Sequence, residues 1–426
     1  MASRSLLRLM KELQELAKGE NLAINVHYDE SNINQIEVLL LGPPDTPYAF
    51  GFYRFAIVIP PEYPTRPPHV TLKTTNMGST RFGPNLYASG KVCLSILGTW
   101  PGRPGEEWSP AQGLESVLLS IQSLLSANPY HNEPGFAHES DANAVQTYNA
   151  KVRHENLRLA IITPLEKALG LAPNPTGGPS SASSEDPFND HYKRRFLWYL
   201  DQYKRAIAQG IEEVKNNPGP QFPMAPFESS SNGMRGSWAY PELQRRLQAI
   251  ESKLIEETYG WAVEGSKICE EDAGIAVTLR AQQDQIVAEL KNFTGSTVDL
   301  AMIDDNPFLW QLTYFGRPMS IWDGAMVNLK IYISPRFPAE QPRVFLDSSI
   351  FHLRVTSLKM LVYLPARSND LIRHIAGIIG TLDEESPAYN PLLTVNQEAS
   401  KLFWGTKQEK REYNTKLRHS IEMSML

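Results

Sequence analysis

Residues 36–72 read IEVLLLGPPDTPYAFGFYRFAIVIPPEYPTRPPHVTL. Ile36, Val38 and Leu40 alternate with the polar Gln35 and Glu37, and Tyr53, Phe55, Ile57 and Ile59 alternate with Arg54 and Ala56. A period of two places one set of side chains on one face of a pleated backbone, so both runs read as half-buried strands. Between them, Gly42 to Tyr48 holds three prolines and a glycine, which suits a hairpin connection and antiparallel pairing. A second proline cluster, Pro60 to Pro68, keeps the backbone extended on its way into a further strand at Val70 and Leu72.

Upstream, Leu6, Leu7, Met10, Leu13 and Leu16 recur at helical spacing with Arg8, Lys11 and Glu15 between them, the pattern of an amphipathic helix. Downstream, an irregular stretch from Arg81 to Pro110 carries Cys93. Ser109 as N-cap and Pro110 at the first helical position then announce a helix through Val117, Leu118, Ile121, Leu124 and Leu125. From Leu171 to Asp190, Pro, Gly, Ser and Asn dominate, which predicts a solvated linker or mobile loop. Helical patterns over His191–Asn216 and Pro241–Glu257, separated by another Pro/Gly/Ser-rich segment, read as an appended helical module.

The chain also repeats itself. A shift of 274 residues places Gly316 on Gly42, Val327 on Tyr53, Leu329 on Phe55, Ile331 on Ile57 and Ile333 on Ile59. The same shift places Phe337, Pro338, Pro342 and Val344 on Tyr63, Pro64, Pro68 and Val70. Further on, the stretch from Tyr148 to His154 (YNAKVRH) returns from Tyr413 to His419 (YNTKLRH) at an offset of 265. Registration of this kind predicts the same fold twice.

Length and composition bound the function. The 426 residues, 42% hydrophobic and 21% charged, suit two or three domains, and a net charge of -6 disfavours a general nucleic-acid or anionic-membrane binder. Two cysteines, Cys93 and Cys269, cannot make a disulfide framework or a multi-cysteine zinc site, and suit a reducing compartment. Charges interrupt every apolar stretch of the first twenty residues, and no later run is long enough for a bilayer. A cytoplasmic or nuclear protein is expected, with no membrane partner. No Walker loop, dinucleotide turn, Gly-x-Ser-x-Gly elbow or His-Glu-x-x-His pair occurs, so neither cofactor nor metal is expected.

Four ordered landmarks surround Cys93: Gly42 with Pro43; Tyr63, Pro64, Pro67, Pro68 and Val70; Pro84 with Asn85; and Gly90 ahead of Cys93 and Leu94. This pattern resembles the ubiquitin-conjugating enzymes, over residues 4 to 170. The GKVCLSILGTW run, the insertion before Trp108 and the NPYHNEPG stretch resemble their large, atypical members. The resemblance implies an α/β (α+β) chain of two ubiquitin-conjugating-enzyme-like folds, each an antiparallel meander sheet with helices, joined by a helical extension. The expected divisions are an active domain over 1–170, a linker over 171–190, the extension over 191–262 and an inactive copy over 272–426.

The resemblance further implies that Cys93 takes ubiquitin or a ubiquitin-like modifier as a thioester from an activating enzyme and passes it to the amine of a protein substrate, with or without a ligase. Asn85 is implied as donor to the oxyanion, or as a structural turn residue. Glu133 is implied as the carboxylate beside the incoming lysine, or as a solvated loop carboxylate. Tyr130 and His131 share its loop and are candidates to line the lysine approach. Gly83 and Ser95 depart from the family, which usually has His and often has Asp at these places. In the second copy, alignment of the apolar pattern puts Leu361, or by a one-residue slip Met360, on Cys93, and Arg354 on Asn85. That half resembles an inactive variant of the fold, and a scaffold that binds ubiquitin or a modifier without acyl transfer is the competing reading of the chain. Cys269, in the charged run from Ile268 to Asp272, has no such motif.

Overall fold

The alternating stretch forms neighbouring strands of one sheet. The computed structural model describes residues 4–18, 21–138, 141–172, 186–215, 219–229, 233–271, 273–292 and 298–425. They group into two units, Met1–Tyr192 with Gln202–Ile250, and Lys193–Asp201 with Glu251–Leu426. In the first unit, β1 (Ile24–Tyr28), β2 (Gln35–Leu41), β3 (Phe52–Val58) and β4 (His69–Leu72) lie antiparallel in chain order. Ile36 faces Ile57, Val38 faces Phe55 and Leu40 faces Tyr53, so the alternating apolar sets share one side of the sheet. That side is buried in one core with Leu9 and Leu13 of α1 (Arg4–Ala17) and Val117, Leu118 and Ile121 of α2 (Leu114–Leu124). Each such side chain contributes about 1.5–3 kcal/mol on burial.

The strands are covered more fully than alternation predicted: Leu39, Leu41 and Phe52 are buried as well. The start of α5 (Asn189–Lys215) lies against the other side of the sheet. Phe188 meets His27 at 6.4 Å between ring centroids, Tyr192 meets Phe52 at 5.1 Å, and Asp186 Oδ2 accepts from Arg54 at 2.6 Å. The last residues of the stretch expected as linker are therefore packed, with Phe188 buried, while residues 173–185 lie outside the described residues.

α3 (Ala142–Glu155) runs through a π-helical stretch, Asn156–Ile162, into α4 (Thr163–Ala168). Asn156 in that stretch accepts from the Tyr53 hydroxyl at 2.8 Å and donates to Ala49 O at 3.1 Å, which ties the helix to the strand connection. α6 spans Tyr240–Glu271, well past the expected end at Glu257. The Pro/Gly/Ser-rich segment before it packs into the first unit: Phe222 and Met234 join its core, and the Ala239 N–H donates to His154 Nε2 at 3.0 Å. Lys151 and Glu228 form a buried ion pair, and Glu228 also accepts from the Ala225 and Met234 N–H groups at 2.6 and 3.0 Å.

The second unit repeats the plan. After α7 (Ala273–Asn292), β5 (Val298–Ile303), β6 (Asn306–Phe315), β7 (Met326–Tyr332) and β8 (Arg343–Leu346) pair antiparallel in order. α8 (Leu371–Asp383), α9 (Gln397–Phe403) and α10 (Lys407–Ser424) follow. Tyr314 faces Val327, the counterpart of Leu40 facing Tyr53. Tyr63–Pro64 and Phe337–Pro338 are both cis peptides. Tyr148 of α3 and Tyr413 of α10 are both buried, as the repeated YN motif requires. Within this unit Lys193 donates to Glu257 at 2.8 Å and to Glu340 at 3.1 Å, and the buried Arg343 lies over the Trp261 ring and pairs with Glu257 at 3.0 Å. Burial holds His374 down to about 4; its ring nitrogens meet the Tyr363 hydroxyl and Ser368 O.

The helix announced by Ser109 and Pro110 begins later, at Leu114. Ser109 and Gln112 instead close a turn, with Gln112 N–H donating to Ser109 O at 3.0 Å. The helix takes its cap from outside its own sequence: Glu12 of α1 accepts from the Leu114 N–H at 3.0 Å and from the Tyr63 hydroxyl at 2.6 Å. A Cβ on Gly113 would lie 2.9 Å from the Glu12 carboxyl carbon, so the residue before the helix has to be small. Replacing Glu12 by Ala leaves a helical N–H and the phenol of the buried Tyr63 without their acceptor. Glu12→Ala is expected to lower stability by about 2–4 kcal/mol, read from urea unfolding, whereas loss of a surface carboxylate would cost under about 0.5 kcal/mol.

Candidate active site

The chain from Arg81 to Gly98 folds back on itself. Phe82 N–H donates to Leu86 O at 3.0 Å and Leu86 N–H to Gly83 O at 3.1 Å, which closes the Gly83–Leu86 turn. Across this turn, Cys93 N–H donates to Asn85 O at 2.9 Å and Asn85 Nδ2 donates to Cys93 O at 3.0 Å. Asn85 and Cys93 are thus held to each other in both directions. Asn85 Oδ1 is buried with no hydrogen-bond partner among the described residues.

Cys93 is 3% exposed. Beyond it the backbone turns through a short 3-10 helix, Ser95–Leu97. The Thr99 hydroxyl donates to Val92 O at 2.6 Å and accepts from Leu94 N–H at 3.0 Å. Side chains from both directions therefore clamp the residues flanking the thiol. Tyr87 follows the turn, and burial pushes its phenol above the usual range.

Glu133 lies in the loop between α2 and α3, after a short helical turn at Pro129–Asn132. The loop rests on a cluster of rings: Tyr130 lies 5.7 Å from Phe136, 5.7 Å from Tyr148 and 5.0 Å from Phe227, all edge-on. Tyr130 is 1% exposed, so it supports the loop from beneath and does not line an approach path as the sequence suggested. The Glu133 side chain remains 23% exposed above it.

Arg81 joins these parts. Its Nε donates to Gly83 O at 3.0 Å, its Nη2 donates to Pro84 O at 2.7 Å and to Glu133 Oε2 at 3.3 Å, and its guanidinium carbon lies 4.6 Å from the Tyr87 ring centroid. Sequence reasoning selected Cys93, Asn85 and Glu133 and passed over Arg81, Tyr87 and Thr99. Tyr87 had a signal in its place two residues after Asn85. Arg81, at 3% exposure a buried charge just ahead of the turn, announced itself only by being an arginine beside Phe82.

The departure at Gly83 has a steric account. A Cβ there would approach the Tyr48 hydroxyl to 3.1 Å, and that hydroxyl donates to Phe82 O at 2.6 Å. In the second unit the corresponding position is His352, whose ring lies 5.5 Å from that of Trp322; burial, then Arg354, holds its pKa down to about 3.

The register of the second unit corrects the alignment made from sequence. The isolated pairings Thr71–Lys91 and Leu86–Val92 recur as Phe345–Met360 and Val355–Leu361. Cys93 N–H to Asn85 O recurs as Val362 N–H to Arg354 O at 2.8 Å. Val362 therefore stands where Cys93 does, not Leu361 or Met360, while Arg354 stands at Asn85 as expected. The apolar pattern alone missed by one residue because Met360, Leu361 and Val362 are all buried and give no alternation to read. Cys269 lies at the end of α6, and burial raises its thiol, the opposite of activation.

Residues 8–156 match the family described as Ubiquitin-conjugating enzyme, a span that contains Arg81, Asn85, Tyr87, Cys93, Thr99 and Glu133. The chain is 38% identical to human Ubiquitin-conjugating enzyme E2 Z over 258 residues, 61% of this chain and 66% of that protein. It is 36% identical to the Xenopus tropicalis protein of the same name over 256 residues, 60% of this chain and 74% of that one. The matched segment thus spans just under two thirds of the human protein's own length. Among solved structures, a Toxoplasma gondii ubiquitin conjugating enzyme E2 domain shares 29% identity, with a TM-score of 0.30, over 37% of this chain and 99% of that one. With four strands in chain order, the Pro84–Asn85 turn folded onto Cys93, and relatives matched across it, the chain belongs to the ubiquitin-conjugating enzyme family.

Proposed function

We propose that the first unit carries ubiquitin, or a modifier like it, as a thioester on Cys93 and transfers it to a lysine amine. The observation that supports this reading most directly is the two-way hydrogen bonding of Asn85 and Cys93 in a chain of this family. In charging, Cys93 Sγ attacks the thioester carbonyl carbon on an activating enzyme, whose thiolate leaves. In discharge, the lysine nitrogen bonds to the same carbon, the C–S bond breaks, Sγ leaves as thiolate, and the amine proton passes to a carboxylate or water. Sulfur suits both halves because it is a good nucleophile and a good leaving group. Asn85 Nδ2 has a second N–H beyond the one given to Cys93 O, and a donor there offsets the oxyanion formed during aminolysis. Glu133, on its supported loop, orients the amine.

The second unit has Val362 and Arg354 in place of Cys93 and Asn85, so the reading without acyl transfer applies to it. Its role is to hold an acceptor, a substrate or a further copy near Cys93 by covalent linkage, which raises the local concentration of what it binds. The alternative is stabilisation of the first unit alone. Partners on this reading are an activating enzyme, a modifier, protein substrates and a ligase where one is required.

Incubation with activating enzyme, ATP and ubiquitin is expected to give a thiol-sensitive adduct that Cys93→Ala abolishes and Cys269→Ala leaves intact. Cys93→Lys is expected to trap a stable amide, and an adduct surviving Cys93→Ala would reject the assignment. In single-turnover discharge to free lysine, Asn85→Ala is expected to slow the reaction about 10²-fold and to slow charging much less. Equal losses in both steps with a lower melting temperature would make Asn85 a backbone clamp only. For the second unit, isoleucine-methyl spectra of the full Cys93→Ala chain with free ubiquitin are expected to shift at Ile275, Ile321, Ile372 or Ile379, isoleucines of that unit that are not fully buried. No shift at any of them at millimolar ubiquitin would remove ubiquitin as its ligand.

A further inference from the structure

Arg81 is a guanidinium with 3% of its surface exposed, placed between the three pieces of the site. A group that is charged at all accessible pH values is rarely buried without several acceptors, and Gly83 O, Pro84 O and Glu133 Oε2 are among those this one has. Two are backbone carbonyls of the Gly83–Leu86 turn that holds Asn85. The third belongs to a loop carried between two helices, some fifty residues further along the chain. The face of the guanidinium is taken by the Tyr87 ring at 4.6 Å.

The geometry follows from the side chain's shape. A planar fork with five N–H groups can bridge acceptors that diverge in direction, which an ammonium on a flexible stem cannot do at the same separations. The carbonyl of Pro84 is attached directly to Asn85, so fixing it fixes the direction in which the Asn85 amide leaves the backbone. The bond to Glu133 uses one carboxylate oxygen, Oε2, and so sets the direction of the other. One rigid group thereby registers the oxyanion donor against the amine-side carboxylate.

We propose that Arg81 is a positioning residue for acyl transfer, holding the Asn85 turn and the Glu133 carboxylate in a single geometry in which both meet the lysine attack. This rests on the thioester reading above. It acts through Asn85 and Glu133 and need not contact the modifier or the amine. Because a misplacement of about 1 Å in reacting groups costs about 10²-fold in rate, a bridge of this kind has a kinetic signature out of proportion to its contribution to folding.

The test uses the full chain as wild type, Arg81→Lys, Arg81→Met, Glu133→Gln and the Arg81→Met/Glu133→Gln double variant. Ubiquitin thioesters are formed first, then discharged in single turnover to lysine and, separately, to hydroxylamine, across pH 6.5–9.5, with melting temperatures recorded alongside. Arg81→Met is expected to slow lysine discharge about tenfold or more, with a larger loss near neutral pH than at alkaline pH, and to slow hydroxylamine discharge less. Hydroxylamine is nucleophilic when neutral and has little need of an oriented carboxylate. Arg81→Lys is expected to fall between wild type and Arg81→Met. In the Glu133→Gln background the Arg81→Met loss is expected to shrink by about threefold or more, since part of the effect passes through that carboxylate.

Equal slowing with both amines at all pH values, in proportion to a lowered melting temperature, would overturn the proposal and leave Arg81 a packing residue. Full additivity with Glu133→Gln would overturn the coupling it asserts. Should Arg81→Met fail to fold, Arg81→Lys with Glu133→Gln carries the same comparison. Absence of any Cys93 thioester in the wild-type chain would overturn the functional reading itself, and so is distinguishable from failure of the Arg81 proposal.

Discussion

The geometry of the first unit's candidate site depends on the pair of hydrogen bonds that join Asn85 and Cys93. A thiol on an irregular segment would sample many positions, and ordering a residue costs about 1–2 kcal/mol of backbone entropy. Here that cost is met locally. Peptide and side-chain amide of one residue grip the N–H and carbonyl of the other, the Thr99 hydroxyl grips Val92 and Leu94 on either side, and the Ile96 and Leu97 side chains anchor the segment in the core. The segment has no strand or long helix to stiffen it, and these cross-links do the same work.

The second unit shows how much of this arrangement is backbone. Val362 N–H meets Arg354 O as Cys93 meets Asn85, and Lys359 adopts the positive φ that Gly90 adopts in the first unit. The route of the chain has been kept while the thiol and the amide have been exchanged for an isopropyl group and a guanidinium that pairs with Glu384. The two units therefore share a framework and differ in the side chains at these two positions, and the likeness of the two sheets carries no activity from one to the other.

The strand pairing was legible because Ile36, Val38, Leu40, Phe55 and Ile57 alternate cleanly and because prolines mark the connections. Both α5 and α6 followed from helical spacing, although the extension of α6 to Glu271 did not, since Gly260 and Gly265, poor helix formers, follow Glu257. What escaped reading was everything supplied from far along the chain. Glu12 caps α2 from α1, across a separation of 102 residues, and a Ser-Pro start signal nearby pointed to the wrong residue. Arg81 reaches Glu133 across 52 residues. Phe188, in a segment rich in turn formers, covers a sheet face that alternation alone described as open. Local pattern records which face of an element is apolar, and it does not record which distant group will meet a polar one.

The buried pair of Lys151 and Glu228 bears on where an autonomous catalytic fragment of this chain can end. Burial lowers the Lys151 pKa and only Glu228 opposes this, while Phe227, one residue earlier, props the ring stack under the Glu133 loop. A fragment cut at residue 170 would keep the lysine and discard its carboxylate, leaving an uncompensated buried cation at a cost of about 3–5 kcal/mol. It would also take a ring from beneath the Glu133 loop. The appended segment is thus part of the first unit's interior, and the smallest self-sufficient piece of that unit reaches at least to Trp238, whose ring packs with Phe222 on His154.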